Sequence, residues 1–391
     1  MSQAQVDPLE AVRAAAPPDG APQHMLPAAA YTSPEVLAWE LRTLFAGSWT
    51  CLGRVADLLS APDGGGELTQ RSVAVGDVGA LLVRSGARVR MFANTCRHRG
   101  HELLPEGASS QRQSVTCPYH AWTYDLAGSL VNARGFREDP AFEAAEHGLV
   151  ELPVTIWEGW LFGHALHELG SDRVPSFADH LGDLGPLVTP YACGTLVLAD
   201  RHSYEVAANW KVIAENYHEC YHCPLIHPQL CEVSPPDSGD NYDLPGAWVG
   251  GSMELRDGMA TMSTTGALAA TPLPGVRPTH VEYLHLLPNL FVSAHPDYVM
   301  THRMLPLAPG RTWVECSWLV APGADGSVPD AAGAVEFWDV TNRQDWAACE
   351  SVQRGIASPH FRPGPFAPRE DAVADLVSRI GRAYREGGFG T

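Results

Sequence analysis

Two cysteine–histidine pairs stand in the first third of the chain, Cys96-Arg97-His98 and Cys117-Pro118-Tyr119-His120. Two thiolates and two imidazoles can hold a [2Fe–2S] cluster, with cysteine on one iron and histidine on the other. Neutral imidazole in place of thiolate lowers the negative charge at one iron, so the cluster takes up an electron more readily. Potentials of such centres run from about −150 to +300 mV, against about −400 mV for all-cysteine plant-type ferredoxins. The pairs therefore predict a one-electron acceptor. Tetrahedral zinc takes the same four ligands, but a zinc finger runs cysteine pair, then histidine pair. Here each pair mixes the two, in turn-like settings closed by Gly100 or opened by Pro118. His101 reads as a loop histidine beside a complete ligand set.

The densest chemistry lies further on, in Asn209-Trp210-Lys211-Val212-Ile213-Ala214-Glu215-Asn216-Tyr217-His218-Glu219-Cys220-Tyr221-His222-Cys223-Pro224-Leu225-Ile226-His227-Pro228. Three readings compete. His218-Glu219-Cys220-Tyr221-His222 matches H-E-x-x-H, which puts two histidines on one helical face around a peptidase zinc. Cys220 and Cys223 with nearby histidines could form a zinc knuckle. Third, His222 and His227 could be two ligands of a mononuclear iron, completed by a distant carboxylate into a facial triad with positions open for O2. The first third of the chain favours the last reading. An electron carrier has no purpose beside a peptidase zinc, whereas non-haem Fe(II) needs electrons one at a time to cleave O2.

These groups need elements to position them. The 391 residues suffice for two domains with sizeable cores. Composition is that of an ordinary globular protein, with 45% apolar residues. No apolar run approaches the ~20 residues of a membrane span. A net charge of −19 argues against a nucleic-acid partner. Cysteines clustered near histidines favour metal chemistry in a reducing compartment, so the cytoplasm is expected. Residues 1–26 are Ala/Pro-rich and lack the basic start and apolar stretch of a secretory signal, which predicts a disordered lead-in. Ser33 and Pro34 suit the start of a helix over Glu35–Phe45, within an N-terminal segment, 27–48, that packs on the catalytic domain. From 49 to 164 short β-rich runs alternate with Gly, Asp and Asn turns, among them Val73–Val75, Ala80–Val83, Val89–Phe92 and Trp160–Phe162. Both cysteine–histidine stretches fall between strands, at loop tips of a small all-β domain.

The larger domain, 165–391, mixes helices and strands. A helix over Asn209–Tyr221 should be ended by Pro224. Val281–Leu287, Leu290–Ser293, Tyr298–Met300 and Thr312–Val320 read as antiparallel strands. Helices over Val335–Gln353 and Ala372–Arg385 close the chain, with Gly355 and Gly387 at their ends. The Gly/Pro/Ser/Thr-rich stretch 235–275 predicts a long, partly mobile loop over a pocket. The fold class expected is α+β, a small all-β domain plus a domain of antiparallel sheet flanked by helices.

After residue ~30 the chain resembles the catalytic α subunits of Rieske non-haem iron oxygenases. That family runs Cys-x-His, Cys-x-x-His, then an acid three residues before the first iron-ligating histidine, a second histidine, and an acid in a C-terminal helix. The resemblance makes Cys96, His98, Cys117 and His120 the cluster ligands, and His222 and His227 ligands of the mononuclear iron. It makes Asp345 the third ligand, in Asn342-Arg343-Gln344-Asp345-Trp346, with Asp339 as fallback. Glu219 becomes the acid between the two metal sites and, with Asn216, the candidate catalytic residue. His218 is then no ligand, and Cys220 and Cys223 become packing cysteines. The resemblance also implies a homotrimer in which one subunit's cluster serves its neighbour's iron. Electrons would come from NAD(P)H only through a separate flavin/iron–sulfur reductase, with or without a ferredoxin, since the chain has no G-x-G-x-x-G of its own.

The string Glu215-Asn216-Tyr217 through His227-Pro228 looks most like the branch acting on quaternary ammonium compounds such as choline, carnitine, glycine betaine and stachydrine. Oxidative N-demethylation of such a compound with O2 is therefore expected. A quaternary cation offers no hydrogen bond and needs aromatic faces; Tyr217, Trp248, Tyr283, Trp338 and Trp346 are placed to supply them. Two rivals remain. One is hydroxylation of an aromatic ring, in an apolar slot supplied by the Gly250–Ala270 stretch. The other is a plain Rieske electron-transfer protein, which leaves His222, His227 and Asp345 unexplained.

Overall fold

The structure is a computed structural model that describes residues 7–16, 24–60, 67, 69–136, 138–166 and 174–389. Two compact units emerge, one formed by Leu41–Pro175 and the other by Met1–Glu40 with Ser176–Thr391.

The first unit is all β apart from short helical turns. Strands β1 (Thr50–Arg54), β2 (Gln70–Val75), β3 (Val78–Ser85), β4 (Arg88–Ala93), β5 (Ser109–Ser110), β6 (Val115–Thr116), β7 (Thr123–Tyr124), β8 (Leu130–Asn132), β9 (Glu151–Leu152), β10 (Val154–Trp157) and β11 (Trp160–Gly163) form three sheets. Their orders are β5-β2-β3-β4-β9, β1-β11-β10 and β6-β7-β8. Strand β3 shows why the pattern works. Side chains alternate across a strand, so Ala80 and Leu82 enter one core with Val75, Met91 and Leu161. Leu81 and Val83 enter the other, with Phe92, Trp122, Tyr124 and both Cys96 and Cys117. The cysteine-bearing loops are thus anchored to the sheet by the thiols' own burial.

The second unit is built on a seven-stranded antiparallel sheet. Its strands are β12 (Val197–Val206), β13 (Asp240–Asn241), β14 (Trp248–Glu254), β15 (His280–Leu286), β16 (Leu290–Ala294), β17 (Tyr298–Ala308) and β18 (Arg311–Val320). They lie in the order β12-β18-β17-β16-β15-β14-β13. Helices Trp210–Tyr217, Ala332–Ile356 and Asp371–Glu386 complete it. Asn209 caps the first, its side chain accepting from Lys211 N–H at 3.0 Å. That helix is then locked by a wholly buried ion pair, Lys211 Nζ to Glu40 Oε1 at 2.5 Å. Glu40 accepts from Trp210 Nε1 as well, at 2.8 Å, and from the Tyr384 hydroxyl. Burial lowers the Lys211 pKa even though Glu40 opposes the shift. Removing one partner of such a pair strands a buried charge, which costs about 3–5 kcal/mol.

Several expectations need correction. The lead-in is not wholly disordered: Pro8–Ala15 is a helix capped by Asp7, with Val12 buried and Arg13 Nε donating to Tyr384 O at 3.0 Å. Burying one apolar residue and meeting a helix-end carbonyl secured what composition alone did not reveal. Residues 1–6 and 17–23 lie outside the described residues. Ser33 does cap its helix, Val36 N–H donating to its hydroxyl at 3.2 Å. That α-helix stops at Glu40, and 41–48 side with the β unit; the other boundary falls at 175 rather than 164. The Asn209 helix ends at Tyr217, and Pro224 opens the next short helix, Cys223–Ile226, instead of ending the former. Stretch 235–275 is no single loop, since it contributes β13 and β14 to the main sheet. Strand β14 escaped notice because Gly250 and Gly251 weaken its β signal. Glycine is required at Gly250, where a Cβ would lie 2.4 Å from Tyr283 O.

Candidate active site and metal centres

The two cysteine–histidine loops are built alike. Cys96 N–H donates to His101 O at 2.8 Å, and Gly100 N–H returns to Cys96 O at 3.0 Å. Cys117 N–H donates to Trp122 O at 2.8 Å, and Ala121 N–H returns to Cys117 O at 3.0 Å. Each loop turns through a left-handed residue, Gly100 at φ +72° and Ala121 at φ +59°. The His98 and His120 rings come within 4.7 Å, centroid to centroid, and His98 stacks on Trp122 at 4.8 Å. The Cys117 thiol meets that of Cys96, and burial raises its pKa while the backbone N–H groups of Tyr119 and His120 oppose the shift. The Tyr124 hydroxyl lies 3.4 Å from Cys96 Sγ and accepts from Arg97 N–H at 3.0 Å. His98 Nδ1 is buried with no hydrogen-bond partner. Two soft sulfurs, two imidazoles and an orphaned ring nitrogen fit a [2Fe–2S] cluster with mixed ligation. His101 stands aside as expected, exposed, its Nδ1 on Glu102 O.

The second centre gathers residues far apart in sequence. His222 Nε2 lies 3.1 Å from His227 Nε2, and Asp345 Oδ1 lies 2.8 Å from the latter and 3.3 Å from the former. Ligand atoms about 2.1 Å from one ion, at right angles to each other, are about 3 Å apart. The outer contacts fix which nitrogens point inward. His222 Nδ1–H donates to Glu219 Oε1, and His227 Nδ1–H donates to Gln344 Oε1 at 2.7 Å. Each ring therefore turns Nε2 toward Asp345, the nitrogen left to ligate a metal once it is deprotonated. Burial works against a charged His222, but the carboxylates of Asp345 and Glu219 outweigh it and push the pKa up to about 9. Burial likewise opposes the Asp345 carboxylate, and the two histidines more than offset it.

Local sequence explains the convergence. Trp338, Thr341, Asn342, Asp345 and Trp346 recur at helical spacing, so one face of the Ala332–Ile356 helix meets the site. Glu219 Oε2 accepts from the N–H groups of Tyr221 at 2.5 Å and His222 at 3.1 Å, closing the turn that carries His222. Cys220 and Cys223 bracket the same turn, and here the expectation of packing thiols is wrong, for they are joined as a disulfide. Asn216 Nδ2 is 3.5 Å from His222 Nε2. Asp339 lies elsewhere, accepting from Tyr204 at 2.6 Å and pairing with Arg343 at 2.8 Å. Gln344 was not anticipated. Its one signal is its place beside Asp345.

A cavity of about 560 Å³ opens on His222, His227 and Asp345. Tyr217, Tyr283, Trp338 and Trp346 line it, together with Phe291, Met300 and Met304. Trp248 does not; it is buried in β14 with its Nε1 donating to Pro245 O at 3.0 Å. His218 lines the cavity but takes no part in the triad, its Nε2 lying 3.2 Å from His285 Nδ1 instead. Among the described residues no helix is long and apolar enough to cross a membrane.

Comparison with known proteins bears on both centres. Residues 48–146 match the Rieske [2Fe-2S] domain, and residues 194–386 match the ring-hydroxylating alpha subunit catalytic domain. The glycine betaine monooxygenase oxygenase subunit of Chromohalobacter salexigens is 32% identical over 390 residues, covering 90% of this chain and 84% of that protein. The carnitine monooxygenase oxygenase subunit of Acinetobacter baumannii is 37% identical over 207 residues, or 52% of each chain. The crystal structure of the quaternary ammonium Rieske monooxygenase CntA with substrate γ-butyrobetaine superposes with a TM-score of 0.70 at 25% identity. That match covers 96% of this chain and 98% of that one.

Proposed function

The chain belongs to the Rieske non-haem iron oxygenases as an oxygenase subunit, and from that premise we propose that it demethylates a small quaternary ammonium compound. One observation supports this reading above others, the aromatic- and methionine-lined cavity ending on His222, His227 and Asp345. A cation without N–H groups is held by ring faces rather than by hydrogen bonds, and aromatic rings line this space, among them Tyr217, Tyr283, Phe291, Trp338 and Trp346. Relatives that act on glycine betaine and on carnitine support the same substrate class.

In this reading His222, His227 and Asp345 hold Fe(II), and Cys96, His98, Cys117 and His120 hold the cluster. Together the two centres supply O2 reduction with electrons delivered singly. The chain's own residues do the rest. Glu219 and Gln344 keep protons on Nδ1 of His222 and His227, so that both Nε2 atoms remain lone-pair donors. Asn216, which lines the cavity, holds its amide beside His222 Nε2. The aromatic walls exclude water and keep an N-methyl carbon near the ligands. Once that carbon bears a hydroxyl, the hydroxyl proton passes to solvent and the carbon–nitrogen bond breaks with its electron pair left on nitrogen, releasing formaldehyde and the neutral tertiary amine.

Electrons come from a separate reductase, and their route crosses between subunits of a homotrimer, from one cluster past Glu219 to a neighbour's iron. Large exposed side chains on both loops support such an interface: Tyr119 is 52% exposed, Tyr221 64% and Leu225 89%. A cytoplasmic location accords with electron supply from NAD(P)H. The test is turnover of iron-loaded protein with a generic reductase, NADH and O2 against betaines, choline, carnitine and simple aromatic acids. Stoichiometric formaldehyde with loss of one methyl group supports the proposal. Oxygen in a ring, with every amine untouched, sinks it.

A further inference from the structure

His218 is unused by the chemistry above, yet it is only 8% exposed and lines the cavity. Its Nε2 lies 3.2 Å from His285 Nδ1, and His285 Nε2 lies 3.2 Å from the carbonyl oxygen of Pro288. A carbonyl oxygen only accepts, so His285 carries its proton on Nε2 and presents a lone pair at Nδ1. His218 Nε2 must then be the donor of that pair. The lone pair of His218 is consequently on Nδ1.

Among the described residues no donor meets that nitrogen. His218 lines the cavity, and Nδ1 is the ring nitrogen that His285 leaves uncommitted. The ring has little freedom to turn away. It stacks on His285 at 5.4 Å and meets the edge of Tyr217 at 5.3 Å. Both imidazoles stay neutral at physiological pH, His218 held low by burial and by His285, and His285 driven down to about 3 by burial.

Resting on the quaternary-ammonium reading, we propose that His218 Nδ1 accepts a hydrogen bond from a substrate hydroxyl and so selects hydroxylated compounds over their deoxy counterparts. Elimination identifies the donor. A quaternary nitrogen has no hydrogen to give, and a carboxylate would face lone pair with lone pair. On a small compound of this class the hydroxyl is the group left that can donate. A buried acceptor disfavours the analogue lacking the donor, because its lone pair is desolvated without recompense.

Two substrate pairs isolate the hydroxyl: choline against ethyltrimethylammonium, and carnitine against γ-butyrobetaine. Dissociation constants are measured by titration calorimetry on the iron-loaded protein, for wild type, His218→Gln and His218→Phe. Wild type should bind the hydroxylated member of at least one pair about tenfold more tightly. His218→Phe should bring that ratio to within about twofold of unity, while His218→Gln, whose amide oxygen still accepts, retains part of it. A merely structural histidine would weaken both members alike and leave the ratio unmoved. Should the phenylalanine variant not fold, His218→Ala reads the same ratio. A wild-type ratio near one in both pairs, or a preference that survives loss of the imidazole, overturns the role of His218 and leaves the demethylase reading standing. Failure of all four cations to bind while glycine betaine binds overturns this inference alone, and failure of glycine betaine as well overturns both.

Discussion

The two metal centres solve the same problem in opposite ways. The cluster loops are near neighbours in sequence, each closed by the same two backbone hydrogen bonds and each pinned by its own buried cysteine. Little outside them is needed to set their shape. The mononuclear site draws His227 and Asp345 from positions 118 residues apart and depends on a helix face, a capped helix and a buried ion pair to bring them within 2.8 Å. A centre assembled from local turns is resilient to distant change. One assembled from long-range packing is exposed to it, and gains a cavity large enough for a substrate.

That difference can be broken from either side. Asp345→Ala should remove the long-range ligand, lowering iron from about three to about two atoms per chain and abolishing turnover, with the visible spectrum of the cluster intact. Cys117→Ser should do the reverse, bleaching the cluster and leaving about one iron; iron analysis with absorption spectra reads both. If either substitution emptied both centres, their independence would be refuted. Glu219→Gln should keep its iron, since no ligand is replaced and the amide oxygen can still accept from His222 Nδ1–H, yet cut turnover by about 100-fold. Near-normal turnover in that variant would remove Glu219 from any part in orientation or electron delivery.

The smallest effect concerns the helix that supports the long-range site. Burial raises Glu215 from 4.5 to about 7, partly offset by the Tyr31 hydroxyl, which donates to it at 2.7 Å, and by Lys211. The unfolded chain ionises this group near 4.5 and the folded chain only near 7. The folded state therefore loses stability as pH rises through that window, and no more from this group above it. Glu215→Gln should lack that decline, so its melting temperature should gain about 2–4 °C on wild type between pH 4.5 and 7.5. A constant difference across the window would show that Glu215 does not titrate there.

Legibility in the sequence followed the same division. Cys96, His98, Cys117 and His120 lie close enough for spacing alone to suggest a candidate ligand set, and alternation in β3 and β4 gave away the sheet beneath them. Spacing offered His222 and His227 as one of three candidate pairings, whereas Asp345 needed the family resemblance, because no local pattern tells it from Asp339. Gln344, His285 and the disulfide between Cys220 and Cys223 were not legible, since their roles arise only when distant segments meet. Strand β14 was hidden for a related reason: Gly250 and Gly251 serve close approach of neighbouring backbones rather than strand propensity. Tyr217, Tyr283, Trp338 and Trp346 were placed correctly, but Trp248 showed that an aromatic residue near a site is as readily core as wall.

The most direct test of the central claim follows the methyl carbon itself. Glycine betaine and carnitine bearing trideuteromethyl groups are turned over by the wild-type protein and by Asp345→Ala, with a reductase, NADH and O2 in both cases. The account predicts dideuteroformaldehyde from at least one of them, matched mole for mole by O2 and NADH consumed, and none from the variant. Oxygen consumed with every deuterated methyl group retained, or equal formaldehyde from the variant, would contradict it.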